Sequence, residues 1–280
     1  MGASHLREGD AAVMLGVVEE ARRDATGDGA PWALLEGLQD LIPCDEGVSI
    51  QIHDYRRSET RLIQGVLEGG VRETLDWEEI GSSDNSEAFW GYFWEDNCSY
   101  PQRTGDLRTV INSTDFFPTE RARLGDPYRE VCPDVRYFLQ VSLPAPPGEA
   151  RRFEFMRGDG PPFSERDRQV MTLLRPHLLE ICTDAERRRN GVPRLSPREW
   201  EVLGMASNGL SYAEIARVLF VSTATVRKHM EHVRERLGVH SVAAAAALAM
   251  PHAPSIGSAH PPLPEPSSWT SATLDGTMSG

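Results

Sequence analysis

Apolar and polar positions change rhythm several times along the chain. From Asp10 to Arg23 their spacing predicts a helix, which TGDGA (26–30) breaks, and a second helix is expected over Trp32–Leu41, ahead of Pro43. In VSIQIHD the period drops to two, with Val48, Ile50 and Ile52 on one side, the pattern of a half-buried strand. YRRSE turns the chain and TRLIQGVL reads as the partner strand, while Ser86–Trp94 predicts a short aromatic helix. RYFLQVSL and RRFEFMR are two further strands joined by the turn-prone PAPPGE. A long helix then opens at Ser164 as N-cap, with Asp167 three residues on. Its core stripe is expected to be Val170, Leu173, Leu174, Leu178 and Ile181, with a bend at Pro176. Antiparallel hairpins flanked by helices predict an α+β domain over residues 31–185, preceded by an N-terminal helical segment, 1–30.

Beyond residue 185 the pattern becomes wholly helical. ERRRNGVPR has linker composition, and a linker is expected at 186–193. LSPREWEVL then carries a dense helix-start signature. Ser196 is the N-cap, Pro197 occupies the first helical position, Glu199 closes a capping box, and Leu195 and Trp200 take the two staple positions. Asn208-Gly209 stops this helix, and Ser211 with Glu214 starts a short one through Val218. The turn LFV leads to a third N-cap, Ser222. From there Val226, Met230, Val233 and Leu237 fall on one face while Arg227, Lys228, Glu231 and Arg234 face away from it. Gly238 ends the helix, and Ser241 caps a fourth, Ala-rich one to about Met250. Residues 251–280, rich in Pro, Ser and Gly, bury too little surface to offset ordering entropy and are expected to be disordered.

Charge changes the picture. The chain carries a net charge of −13, yet residues 194–250 hold seven Lys/Arg against five Asp/Glu, so the module is +2 and the remainder −15. An acidic body with a mildly basic module can avoid DNA everywhere but one face. Of the 29 basic residues only Lys228 is lysine, and His229 follows it. A phosphate-binding G-K-[ST] loop, a receiver domain with its pocket lysine and Schiff-base catalysis are therefore excluded. Cys44, Cys98, Cys132 and Cys182 show no CxxC pairing and no metal spacing. They read as buried or idle thiols in a reducing compartment, and no metal or cofactor is expected. The start lacks a signal-peptide core and no apolar run suits a membrane helix, so a cytoplasmic location is expected.

The stretch Leu195–Met250, with LSPREWEVL, GLSYAEIARVLFVSTATVRKHMEHVRERLGV and HSVAAAAAL, resembles the LuxR/GerE-type helix-turn-helix of bacterial transcription regulators. The resemblance implies an all-α four-helix DNA-binding domain. Arg227, Lys228 and Glu231 would stand at base-facing positions, with Ser222, Thr223 and Thr225 beside phosphates at the helix N-terminus and Arg234 on the backbone or at the rim. Glu231 is expected instead to pair with Arg227 four residues back. The fourth helix would serve dimerisation. Implied partners are double-stranded DNA, a second copy of the chain and, indirectly, RNA polymerase. GLSYAEIARVL also looks like the promoter-reading module of sigma factors. The fourth helix, and the lack of an upstream basic, aromatic helix fit to melt a promoter, favour the regulator.

RYFLQVSLPAPPGEARRFEFMRGDG followed by FSERDRQVMTLLRPHLLEI resembles the end of GAF-like sensory domains, which implies a small-molecule effector or a dimer-forming role. Trp77, Phe89, Trp90, Phe93 and Tyr137 are the candidate pocket residues; Tyr92, Trp94, Phe116 and Phe117 belong to the same aromatic set, and core packing is the simpler role for all of them. A GAF-type enzyme would draw on His53-Asp54 or the carboxylates of DWEEIGSSD (76–84). Without a nucleophile elbow, metal spacing or phosphate loop, catalysis is not expected.

Overall fold

The computed structural model describes residues 6–7, 9–24, 26–76, 84–95, 97–119 and 132–253. The expected tail, apart from its first three residues, Trp77 and most of the acidic run at 76–84 lie outside them. Two helices, α1 (Asp10–Arg23) and α2 (Trp32–Leu41), lead into strands β1 (Gly47–Asp54), β2 (Glu59–Leu67) and β3 (Val71–Asp76). Helices α3 (Asp84–Tyr92) and α4 (Tyr100–Thr104) follow, then β4 (Ile111–Asn112), β5 (Tyr137–Leu143), β6 (Glu149–Arg157) and the 25-residue α5 (Glu165–Arg189). The strands form one antiparallel sheet in the order β3-β2-β1-β6-β5-β4. This is the expected α+β class.

One face of the sheet is apolar. Val48 and Ile50 of β1, Val66 of β2, Leu139, Val141 and Leu143 of β5 and Phe153 and Phe155 of β6 pack under α1, α2 and α5. Burying each such side chain contributes about 1.5–3 kcal/mol. Gln64 is the buried polar exception. Its Oε1 accepts N–H bonds from Asp28, Gly29 and Ala30 at 3.1, 2.5 and 3.0 Å, and its Nε2 donates to the Ala30 carbonyl at 2.9 Å. That side chain holds the TGDGA break, where Gly27 has φ 95 and an added Cβ would lie 2.1 Å from the Ala30 oxygen.

Two details of these elements differ from expectation. Strand β1 is not half-buried, because Ser49, Gln51 and His53 on its other side are covered as well. On α5, Leu173 is 51% exposed while Met171 is fully buried, so the stripe runs Val170, Met171, Leu174, Leu178, Ile181, Cys182. The Ser164–Asp167 capping box forms as the sequence predicts. The helix also continues through Arg189, so residues 186–189 are its last turn and not linker. Arg187 is buried there, donating to the Val192 carbonyl and to Asp184.

The C-terminal module has its own core. Helices α6 (Pro197–Ser207), α7 (Tyr212–Val218), α8 (Thr223–Leu237) and α9 (Val242–Ala249) begin at Ser196, Ser211, Ser222 and Ser241, each side chain accepting from the N–H three residues on. Glu199 and Glu214 complete capping boxes at the first two. Leu195, Trp200, Val202, Leu203, Ile215, Val226, Met230, Val233, Leu237, Ala245 and Ala249 form one buried cluster, uniting all four helices. A short 3-10 turn at Met250–His252 packs back on α5, where Asn190 Nδ2 and His252 Nε2 lie 3.4 Å apart.

Candidate nucleic-acid interface and the covered polar face

Helix α8 presents one apolar and one charged side, as its sequence spacing requires. Val226, Met230 and Val233 are fully buried and Leu237 nearly so, while Arg227, Lys228 and Glu231 are exposed on the opposite side. Among the described residues, Arg227 and Lys228 make no side-chain hydrogen bond or ion pair. Two other cations of the module are engaged internally, while Arg194 and Arg217 are exposed and, among the described residues, likewise make no side-chain hydrogen bond or ion pair. Arg198 pairs with Glu201 at 2.7 Å and donates to the Leu219 carbonyl at 2.9 Å; Arg236 reaches Glu199 at 3.3 Å and the Arg194 carbonyl at 3.0 Å. Arg227 and Lys228 thus stand exposed on the side of α8 opposite its buried stripe.

The remaining expected DNA-facing residues divide. Ser222 and Thr223 are exposed and Thr225 is half-buried. Ser222 Oγ is already committed as the cap, accepting from Thr225 N at 3.1 Å and lying 2.8 Å from Thr225 Oγ1. Arg234 is half-buried and turns along the module, donating to the His240 carbonyl at 3.4 Å. The expected Arg227–Glu231 pair does not form. With the cation on the N-terminal side of the anion, this is the weaker arrangement against the helix dipole, and both side chains keep their freedom in solvent.

Glu199 illustrates how the module's caps bear on ionisation. Burial pushes its carboxyl up, but hydrogen bonds from Ser196 and the nearby Arg236 outweigh this and hold it below the usual glutamate range. The anion therefore stays in place as an N-terminal cap at neutral pH.

The second candidate site lies on the sheet's other face, and here the structure regroups the expected residues. Phe89, Trp90 and Phe93 of the α3 region pack on one another with ring centroids 4.9–5.7 Å apart. Phe89 stacks on His53 at 5.3 Å and Trp90 meets it edge-on at 5.8 Å. Phe93 is buried and the other two half-buried. Tyr137 is not part of this group. It points to the apolar face with Leu139 and Val141, because alternate residues of a strand project to opposite sides.

Beneath the aromatic cover lies a buried polar network that pattern reasoning missed. Arg152 Nε and Nη2 both donate to Gln51 Oε1, at 2.9 and 2.7 Å. Gln51 Nε2 donates to Glu154 Oε2 at 2.7 Å, and Arg152 and Glu154 lie 3.8 Å apart. Gln140 and Ser142 extend the network along β5, and His53 completes it with Thr60 at 3.0 Å and Gln51 at 3.2 Å. Burial pushes the imidazole of His53 well below its usual value, and the guanidinium of Arg152 adds to the push, so the ring is neutral at physiological pH. The polar groups of this network are buried and bonded to one another beneath the aromatic rings. The visible signal was the alternation of SIQIH and RRFEF, in which the polar positions read as solvent-facing.

His53 and Asp54 do not form an acid–base pair. As consecutive strand residues they face opposite ways, and Asp54 is engaged by Arg61 at 2.6 Å and by the N–H groups of Arg56 and Arg57. None of the four cysteines is in a disulfide. Cys44 and Cys182 are buried, and burial pushes both thiols up to about 12, which keeps them unreactive. Among the described residues, no helix is long and apolar enough to cross a membrane.

The four capped helices with one exposed cationic face define the C-terminal module as a helix-turn-helix domain. Residues 193–249 match the model of the GerE family, bacterial regulatory proteins of the luxR type, and this segment is such a domain. The transcriptional activator protein YukR of Yersinia ruckeri is 39% identical over 85 residues, which amount to 27% of this chain and 37% of YukR. The chain thus spans little more than a third of that relative. Among solved structures, Escherichia coli SdiA is 17% identical with a TM-score of 0.38, over 87% of this chain and 96% of SdiA. The GAF domain of an Acinetobacter phosphoenolpyruvate-protein phosphotransferase is 14% identical, also with a TM-score of 0.38, over 66% of this chain and 99% of that domain.

Proposed function

We propose that the chain is a sequence-specific DNA-binding transcription regulator. Residues 194–250 read the duplex, and residues 31–185 receive a small molecule or a protein partner and set the geometry of a homodimer in the cytoplasm. The observation that carries this reading is the division of α8, with Val226, Met230 and Val233 inside and Arg227 and Lys228 exposed with no partner among the described residues. A helix of this kind fits the major groove, where an Arg or Lys can bond guanine O6 and N7. Arg227, Lys228 and Glu231 are assigned to base edges. Ser222, Thr223, Thr225 and Arg234 are assigned to phosphates, largely through the N–H groups at the start of α8. Two copies would occupy half-sites about 10 base pairs apart, with RNA polymerase affected indirectly.

The sheet domain is assigned the effector role because it buries charged and amide side chains under an aromatic cover, and catalysis is not asked of it. Phe89, Trp90 and Phe93 are the proposed wall, with Gln51, Arg152 and Glu154 as the floor. Selection of binding duplexes from a random pool, followed by gel shift, tests the DNA reading. Arg227→Ala and Lys228→Ala should each weaken binding about tenfold or more, and unchanged binding by both variants would refute the assignment.

A further inference from the structure

Four helices of this chain, α5 to α8, end in the same doubly bonded turn. The N–H of the turn's left-handed residue bonds the carbonyl three back, and the next N–H bonds the carbonyl five back. The donor–acceptor pairs are Gly191 to Arg188 and Val192 to Arg187, Gly209 to Ala206 and Leu210 to Met205, and Gly238 to Glu235 and Val239 to Arg234. The fourth set is Phe220 to Arg217 and Val221 to Ala216. Such a turn requires a left-handed backbone at its first residue, which glycine adopts without penalty. Three of the four comply, with φ of 64, 88 and 66 at Gly191, Gly209 and Gly238. The fourth places Phe220 there, with φ 54. A bulky side chain in this region is an outlier.

Burial does not compensate the fold for this choice. Phe220 is 94% exposed, so its ring contributes almost no packing to its own module. Its backbone is nonetheless well held, since Arg198 clamps the adjacent Leu219 carbonyl at 2.9 Å. Phe220 stands two residues before Ser222, the cap of α8, at the end of the helix that would enter the groove.

We propose that Phe220 is a DNA-contacting residue. Its ring packs on the deoxyribose and thymine-methyl edge of the operator where α8 enters the groove, and the strain at this turn is retained for that contact. The inference rests on the DNA-binding reading above. In the full-length chain, Phe220→Asn and Phe220→Gly suit the left-handed turn better and should raise the melting temperature by a few degrees. The same variants should weaken operator binding about tenfold, while Phe220→Tyr retains it. Their salt dependence should match the parent's, because an apolar contact releases no counterion, whereas Lys228→Ala should flatten it. Unchanged affinity in Phe220→Asn alongside a weakened Lys228→Ala overturns the Phe220 contact and leaves the DNA reading standing. Unchanged affinity in both, or no sequence-specific binding by the parent, overturns both. A lower melting temperature in Phe220→Asn refutes the strain argument, and transcription lost at unchanged affinity reassigns the ring to a protein partner.

Discussion

The sheet domain keeps a guanidinium, a carboxylate and an imidazole inside, whereas the helical module keeps Arg227 and Lys228 outside and packs its four helices around an apolar cluster. Charge in an interior is costly unless every group is matched, so an internal polar network makes its members mutually dependent. Charge on a surface is cheap and independent, and is available to a second molecule. The first arrangement suits a region that changes state when something joins or leaves it. The second suits a region that binds without changing its own fold.

The sharpest way to break this contrast is to remove one partner from each side. Arg152→Met leaves Glu154 buried without its cation and should cost about 3–5 kcal/mol of stability in urea unfolding. Arg152→Met with Glu154→Leu should regain most of that loss. Recovery absent from the double variant would show that the two residues are not coupled. Arg227→Ala and Lys228→Ala should move unfolding by less than about 0.5 kcal/mol each while weakening operator binding by about 1–3 kcal/mol.

Acidity sharpens the contrast further. His53 is held neutral in the fold, below its ordinary value, so at pH under about 6.5 the unfolded chain binds a proton that the native chain does not. Its contribution is fully present above that pH and falls by up to about 1.4 kcal/mol per unit below it. His53→Asn should flatten this slope between pH 6.5 and 5 in melting experiments, and an unaltered slope would refute the assignment. The smallest effect is expected at a cap: Ser196→Ala should cost about 1 kcal/mol, seen as a lower melting temperature.

How much of this was legible in advance differed between the same two regions. The module could be read nearly residue by residue because its instructions are local. Ser196 with Glu199, Ser211 with Glu214 and the face from Val226 to Leu237 lie within a few residues of their partners. The long-range network was not legible. Gln51 meets Arg152 across 101 positions of sequence, and nothing in SIQIH marks its polar side as covered and not wet. Tyr137 failed for a related reason, since aromatic character shows neither which face of a strand it takes nor what lies opposite. The Arg227–Glu231 pair failed because spacing permits such a contact without making it worthwhile in water.

The last helix of the sheet domain has a mechanical consequence. At 25 residues α5, with Pro176 inside it, runs about 38 Å, seated on the sheet along its stripe from Val170 to Ala185 and contacted by the module near Asn190. A tilt of about 5° at the seated end would swing the far end by about 3 Å, roughly the rise of two helical residues. Events under the sheet would then reach the groove-facing side by leverage, with no need for any segment to unfold along the way.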